Sequence, residues 1–115
     1  MLTRTIRIIL YITDLERAQK FYRDVLGATI YREYGGSSIV FDFNGAWLLI
    51  VTGGAPTEDK PSVTFAPPAD PDQVSHAITI RIPDCRRAYE VRAFFRDPDG
   101  HLFEISQVEN IEPGT

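Results

Sequence analysis

Apolar and polar residues change period once along the first third of the chain, and the change marks where a strand gives way to a helix. Ile8, Leu10 and Ile12 alternate with Arg7, Ile9 and Tyr11, the period of two of a strand whose two faces meet different surroundings. Thr13 and Glu16 then form a capping-box pair, and Leu15, Ala18, Tyr22, Val25 and Leu26 share one helical face before Gly27. This predicts a helix over 14–26. Three strands are predicted next, at Thr29–Tyr34, Ser38–Phe43 and Ala46–Thr52. Gly35-Gly36 and Asn44-Gly45 join them as tight turns, the second with the residues of a type I′ hairpin. The first unit, about residues 4–52, is therefore βαβββ. Residues 53–74 are rich in Pro, Asp and Gly and read as a linker with a short strand at Ser62–Phe65.

The pattern returns in a second unit, about residues 75–108. HAITIRIPDCRRA (His76 to Ala88) lies over IRIILYITDLERA (Ile6 to Ala18) at a shift of 70, with Asp84 on Asp14. DGHLFEIS lies over NGAWLLIV at a shift of 55, with Gly100 on Gly45 and Glu104 on Leu49. The second unit is thus about fifteen residues shorter than the first, between Glu90 and Val91. Either half a helix and a strand have been lost there, or the recorded sequence omits a stretch. The second explanation is favoured, because a helix of two turns from Asp84 would leave the second half-sheet a strand short, with an open edge.

Composition excludes several classes. The chain has 115 residues, enough for one core, and 12 basic against 16 acidic residues give a formal charge of −4. That balance argues against a general nucleic-acid or anionic-membrane surface. The apolar run Ile8–Ile12, between Arg7 and Asp14, is too short and wrongly flanked for a signal peptide or a membrane span. A soluble, cytoplasmic protein is expected. The lone Cys85 excludes an internal disulfide and suits a small helix residue better than a catalytic thiol.

A paired βαβββ repeat, with an entry like YITDLERAQKFYRDVLG and a closing hairpin like FRDPDGHLFEI, resembles the vicinal oxygen chelate superfamily of glyoxalase, bleomycin-resistance and extradiol dioxygenase proteins. The resemblance implies an α+β fold in which two units form a half-barrel cup, commonly as a homodimer and with a divalent metal at the cup floor. It places the superfamily's last metal ligand at Glu104. The other three ligand positions fall on Arg7, Leu49 and Ala77, none of which carries a metal donor. His76, one residue from the expected place, would face away from the cup unless a bulge turned it, and is the alternative ligand beside Glu104.

With the cup so oriented, Arg7, Ile9, Tyr11, Trp47, Leu49, Thr79, Arg81, Leu102 and Glu104 are the candidate ligand-binding residues. Glu104 is the candidate catalytic one. Arg7 is expected to take the metal's place and pair with Glu104, since a guanidinium fork matches a carboxylate; the simpler alternative is a solvated Glu104. Asp97 to Gly100 reads as a Pro-assisted turn, and His101 as a residue flanking it at the rim. The expectation is a small-molecule-binding protein without a cofactor, its ligand apolar or aromatic with an acidic group that Arg81 grips. The alternative is a metal-dependent lyase, isomerase or dioxygenase using Glu104.

Overall fold

The computed structural model of the protein describes residues 6–83 and 91–108. They belong to two compact units, one reaching Ala69 and the other beginning at Asp70.

The first unit runs β1 (Arg7–Tyr11), α1 (Leu15–Lys20), a π-helical turn (Phe21–Val25), β2 (Thr29–Tyr34), β3 (Ser38–Phe43) and β4 (Ala46–Val51). Its four strands lie in the order β1-β4-β3-β2, with β1 parallel to β4 and the rest antiparallel. The turn between β3 and β4 has Asn44 and Gly45 at φ 52° and 85°, the paired positive values of the expected type I′ hairpin. The core collects Leu10 and Ile12, Ala18 and Tyr22, Ile39 and Phe41, and Leu48 and Ile50, all buried. Burying each of the larger ones is worth about 1.5–3 kcal/mol.

Two details of the helix differ from expectation. The cap is Asp14 rather than Thr13: the Asp14 carboxylate accepts the amide hydrogen of Arg17 at 3.1 Å, while the Thr13 hydroxyl accepts from the Arg17 guanidinium. An aspartate adds a negative charge to this role, where unsatisfied amides gather. The last turn is then wound more widely, Leu26 donating to Phe21 at 3.1 Å and Ala28 to Tyr22 at 2.9 Å. The wider winding rotates Val25 off the buried face, and it is 68% exposed, whereas Ala18 and Tyr22 stay inside.

The expected strand at Ser62–Phe65 is absent from the fold. This stretch folds back as a loop: Phe65 donates its amide hydrogen to the Gly54 carbonyl at 2.8 Å, and its ring stacks on Tyr11 at 4.7 Å and 3°. Lys60 ties the loop by donating to the carbonyls of Ala55 at 2.6 Å and Val63 at 3.4 Å, and its ammonium sits 5.3 Å from the Phe65 ring centre. Proline and glycine here shape a fixed loop, not a slack connection.

In the second unit, β5 (Ile78–Pro83), β6 (Val91–Arg96) and β7 (Leu102–Val108) form a three-stranded sheet in the order β5-β7-β6. β5 is parallel to β7, and β6 is antiparallel to it. This repeats the order β1-β4-β3 of the first unit, with no counterpart of β2 among the described residues. The expected helix from Asp84, Cys85 and the shortfall at Glu90 lie outside the described residues. The turn 97–100 forms around Asp97, whose Oδ1 accepts amide hydrogens from Asp99 at 3.0 Å and His101 at 2.8 Å. His101 flanks that turn but is 7% exposed, not a rim residue. Arg96 holds the start of the unit, donating to the Pro71 carbonyl at 3.0 Å and the Asp72 carboxylate at 2.9 Å.

Candidate functional site

Glu104 is set by the pairing of β5 with β7. Parallel register puts Thr79 opposite Glu104 and Arg81 opposite Ser106, and alternation along β7 keeps Leu102 and Glu104 on one face. The Thr79 hydroxyl donates to Glu104 Oε1 at 2.8 Å, which answers in part what satisfies this carboxylate. On its other side Glu104 stands opposite Phe94 of β6, which is 58% exposed. Alternation along β5 predicts Thr79 on the face of Glu104, while the bond between them has no sequence signal. The expected Arg7–Glu104 pair joins residues of different units.

His76 and Ala77 precede β5 rather than lying within it. Strand parity therefore does not fix the direction of His76, which is exposed with Nδ1 3.4 Å from the Ser75 hydroxyl.

On the first unit, Arg7, Ile9 and Tyr11 pair with Trp47, Leu49 and Val51 on the sheet face opposite the helix. The structure brings Arg7 and Trp47 together and closes Tyr11 under Phe65. Three residues outside the candidate set, Tyr31, Tyr34 and Val40, join them. A register shift between Ile30 and Arg32 is a β-bulge, and such a bulge re-aims a side chain. Tyr31 thereby meets Trp47 edge to face at 4.5 Å and 81°. Arg7, Tyr31, Tyr34, Val40 and Trp47 line a concavity of about 400 Å³. The sequence signal for it was the density of aromatics in TIYREY; the bulge itself leaves no local signature.

The donor set is sparse for a metal. Glu104 alone among the four superfamily positions bears a ligating atom, and no three of His, Cys, Asp and Glu cluster among the described residues. Ligands in those four positions therefore do not fit a metal in this chain.

Known proteins resemble the chain in both sequence and fold. The family described as bleomycin resistance protein-like N-terminal matches residues 4–37. The metallothiol transferase FosB of Lysinibacillus sphaericus (strain C3-41) is 31% identical over 118 residues, covering 91% of this chain and 83% of that protein. That span exceeds the length of this chain, so the relative carries residues that this one lacks. Lactoylglutathione lyase from Agrobacterium tumefaciens shares the fold with a TM-score of 0.64 at 17% identity, covering 92% of this chain and 94% of that one. The fosfomycin resistance protein FosX from Listeria monocytogenes, complexed with Mn(II) and sulfate, does so with a TM-score of 0.64 at 18% identity, covering 93% of each chain. The chain belongs to the vicinal oxygen chelate superfamily, with its α+β glyoxalase and bleomycin-resistance type of fold.

These relatives correct one expectation. A protein working without a cofactor was expected, yet one relative is by name a metallothiol transferase and another holds Mn(II). The inference had rested on side chains at four positions, and a ligand set can move within a superfamily while the fold persists. No described helix is long and apolar enough to cross a membrane.

Proposed function

We propose that this chain is a metal-using enzyme that modifies a small anionic molecule, in the manner of the fosfomycin-resistance proteins, and that it works as a homodimer. The observation that carries the reading is 31% identity across 83% of a metallothiol transferase, which favours the enzymatic alternative over a binding-only protein. Glu104 is the carboxylate the reaction uses. Thr79 fixes its orientation by holding Oε1, and a positioned carboxylate is worth more than a mobile one because the ordering is complete before the substrate arrives. Arg81, two residues along the same face of β5, supplies positive charge for the substrate's anionic group. A metal held by Glu104 would supply Lewis acidity; no group of three donors that could hold one is found among the described residues. The dimer is supported by β6, an edge strand with no further neighbour in its sheet among the described residues; such an edge invites a second chain.

The test is phosphorus NMR of fosfomycin incubated with the purified chain, Mn(II) and a low-molecular-weight thiol. A new phosphonate resonance that disappears with EDTA and with Glu104→Gln supports the reading. An unchanged spectrum at high enzyme concentration overturns the fosfomycin-like activity. Turnover undiminished in Glu104→Gln overturns the role of that residue.

A further inference from the structure

We propose that residues 53–65 are an internal lid that opens as one body, with Lys60 as its latch. In the closed state the Phe65 ring occupies the face of Tyr11 that a flat ring from solution would otherwise stack on. Every contact that builds this device lies within the first unit.

The lid is hinged at one end and stiff at the other. It leaves β4 through Gly53 and Gly54, whose φ values of 89° and 118° few residues but glycine adopt, and it runs out into Ala66, Pro67 and Pro68, where proline restricts the backbone. Just before the hinge the chain is anchored to the sheet. Ile12 donates its amide hydrogen to the Val51 carbonyl at 2.9 Å, and Thr52 donates to the Ser37 carbonyl at 3.0 Å. Beyond the hinge the bonds turn inward. Thr57 and Lys60 form an isolated antiparallel bridge, Val63 donates to the Lys60 carbonyl at 3.3 Å, and Phe65 closes the loop on the Gly54 carbonyl at 2.8 Å. A segment bonded to itself and entered through two glycines has the build of a unit that opens separately from the sheet.

Lys60 is the latch because one ammonium holds three parts of the lid. It donates to the carbonyls of Ala55 at 2.6 Å and Val63 at 3.4 Å, and it lies 5.3 Å from the Phe65 ring centre. Its charge thus pins the ring, through charge-assisted hydrogen bonds to the backbone on both sides and through the attraction of a cation to an aromatic face. That same ring stacks flat on Tyr11, 4.7 Å between centres at 3°. Tyr11 shares its strand face with Arg7 and Ile9, so a ring that stacks on it from solution must first displace Phe65. Val63 and Phe65 remain 43% and 40% exposed even when the lid is closed. Opening therefore uncovers only part of their apolar surface and costs less than unfolding the sheet.

Native-state hydrogen exchange, read by NMR on the full chain, tests the lid. The amides of Thr57, Lys60, Val63 and Phe65 are expected to report one common opening constant, larger than those of Ile12 and Thr52. Lys60→Met keeps the reach of the side chain and removes the charge; it should raise that common constant about tenfold and leave Ile12 and Thr52 unchanged. Lys60→Arg should keep most of the wild-type protection. Hydroxyl-radical footprinting with peptide mass mapping should find Tyr11 oxidised faster in Lys60→Met, with Tyr34 unaltered as the control. Should Lys60→Met fail to fold, exchange in the wild-type chain decides: a shared constant supports the lid, and separate constants refute it. Different constants among the four amides, an effect of Lys60→Met that is absent or confined to Thr57 and Lys60, or unchanged oxidation of Tyr11 while the lid amides open faster each overturns the proposal.

Discussion

Thr79 holds Glu104 across the pairing of β5 and β7, hydroxyl to carboxylate at 2.8 Å. A hydroxyl is a modest partner for a charge, worth about 1 kcal/mol and somewhat more to an ionised acceptor. Thr79→Val, close in shape but without the donor, should lower stability by about 1–2 kcal/mol in urea unfolding at neutral pH. Thr79→Ser should recover much of the loss. Equal stability of wild type and valine variant would mean that water serves Glu104 as well as Thr79 does.

Val25 tests the winding of the helix. Exposed in the wide turn, it should tolerate Val25→Ser with a change inside about 0.5 kcal/mol. Phe41→Ala, in the core beside Tyr22 at 5.7 Å between rings, should cost about 3–5 kcal/mol. A loss at Val25 comparable to that at Phe41 in thermal unfolding would restore the uniform α-helical face.

The assignment of the cap can be separated by two alanines. Asp14→Ala removes the oxygen that holds the Arg17 amide and should cost about 1 kcal/mol. Thr13→Ala removes only an exposed side-chain bond to the Arg17 guanidinium and should cost much less. The reverse order, measured by chemical denaturation, would make Thr13 the cap.

Gly54 should refuse a side chain. Its φ of 118° is one that few other residues adopt, and a Cβ there would collide with the Phe65 carbonyl. Gly54→Ala is expected to open the loop and free the Tyr11 ring from Phe65. Faster exchange of the Phe65 amide hydrogen would show this, and unaltered protection would refute it.

A carboxyl titration by carbon NMR should find Asp59 and Asp24 both below the usual aspartate range. The Thr57 hydroxyl donates to Asp59 and holds its proton affinity down; the hydrogen bond from Arg23 does the same for Asp24. A depressed folded value means that the contribution to stability is present above the unfolded value and is lost as pH falls through the folded one. Thr57→Val should raise Asp59 and leave Asp24 where it was. If Asp59 does not move, Thr57 is not the cause.

Much of the fold was legible because its signals are local. Alternation from Ile8 to Ile12 and the residues of Asn44-Gly45 decide a strand and a turn with little outside help. The repeat that sets Asp84 on Asp14 marks a second unit with the strand order of the first; the explanation favoured for its shorter length, a stretch omitted after Glu90, falls on residues outside those described. What the sequence concealed depends on partners distant along the chain. The Tyr31 bulge answers to the register of β3, and the loop at Ser62–Phe65 answers to Tyr11 and Lys60. Of the candidate site, Arg7 and Glu104 are picked out by the superfamily resemblance and Thr79 and Trp47 by alternation along their strands, whereas the Thr79–Glu104 bond depends on the register of β5 against β7 and leaves no local signal. The expectation of no cofactor rested on four side chains alone, and the named metallothiol transferase relative overturns it, though no group of three metal donors is found among the described residues.

The wide turn at Phe21–Val25 gives the chain tolerance to a change in its length. Each residue of an α-helix advances the chain by about 100°, so deleting one ordinarily swings everything downstream to the wrong side. A π-type turn holds one residue more than α winding needs over the same rise. Removing a residue from this stretch would let the turn relax to α winding with Gly27 still in place to begin β2. Length variation among relatives is therefore expected to concentrate in this turn, where the sheet need not register it.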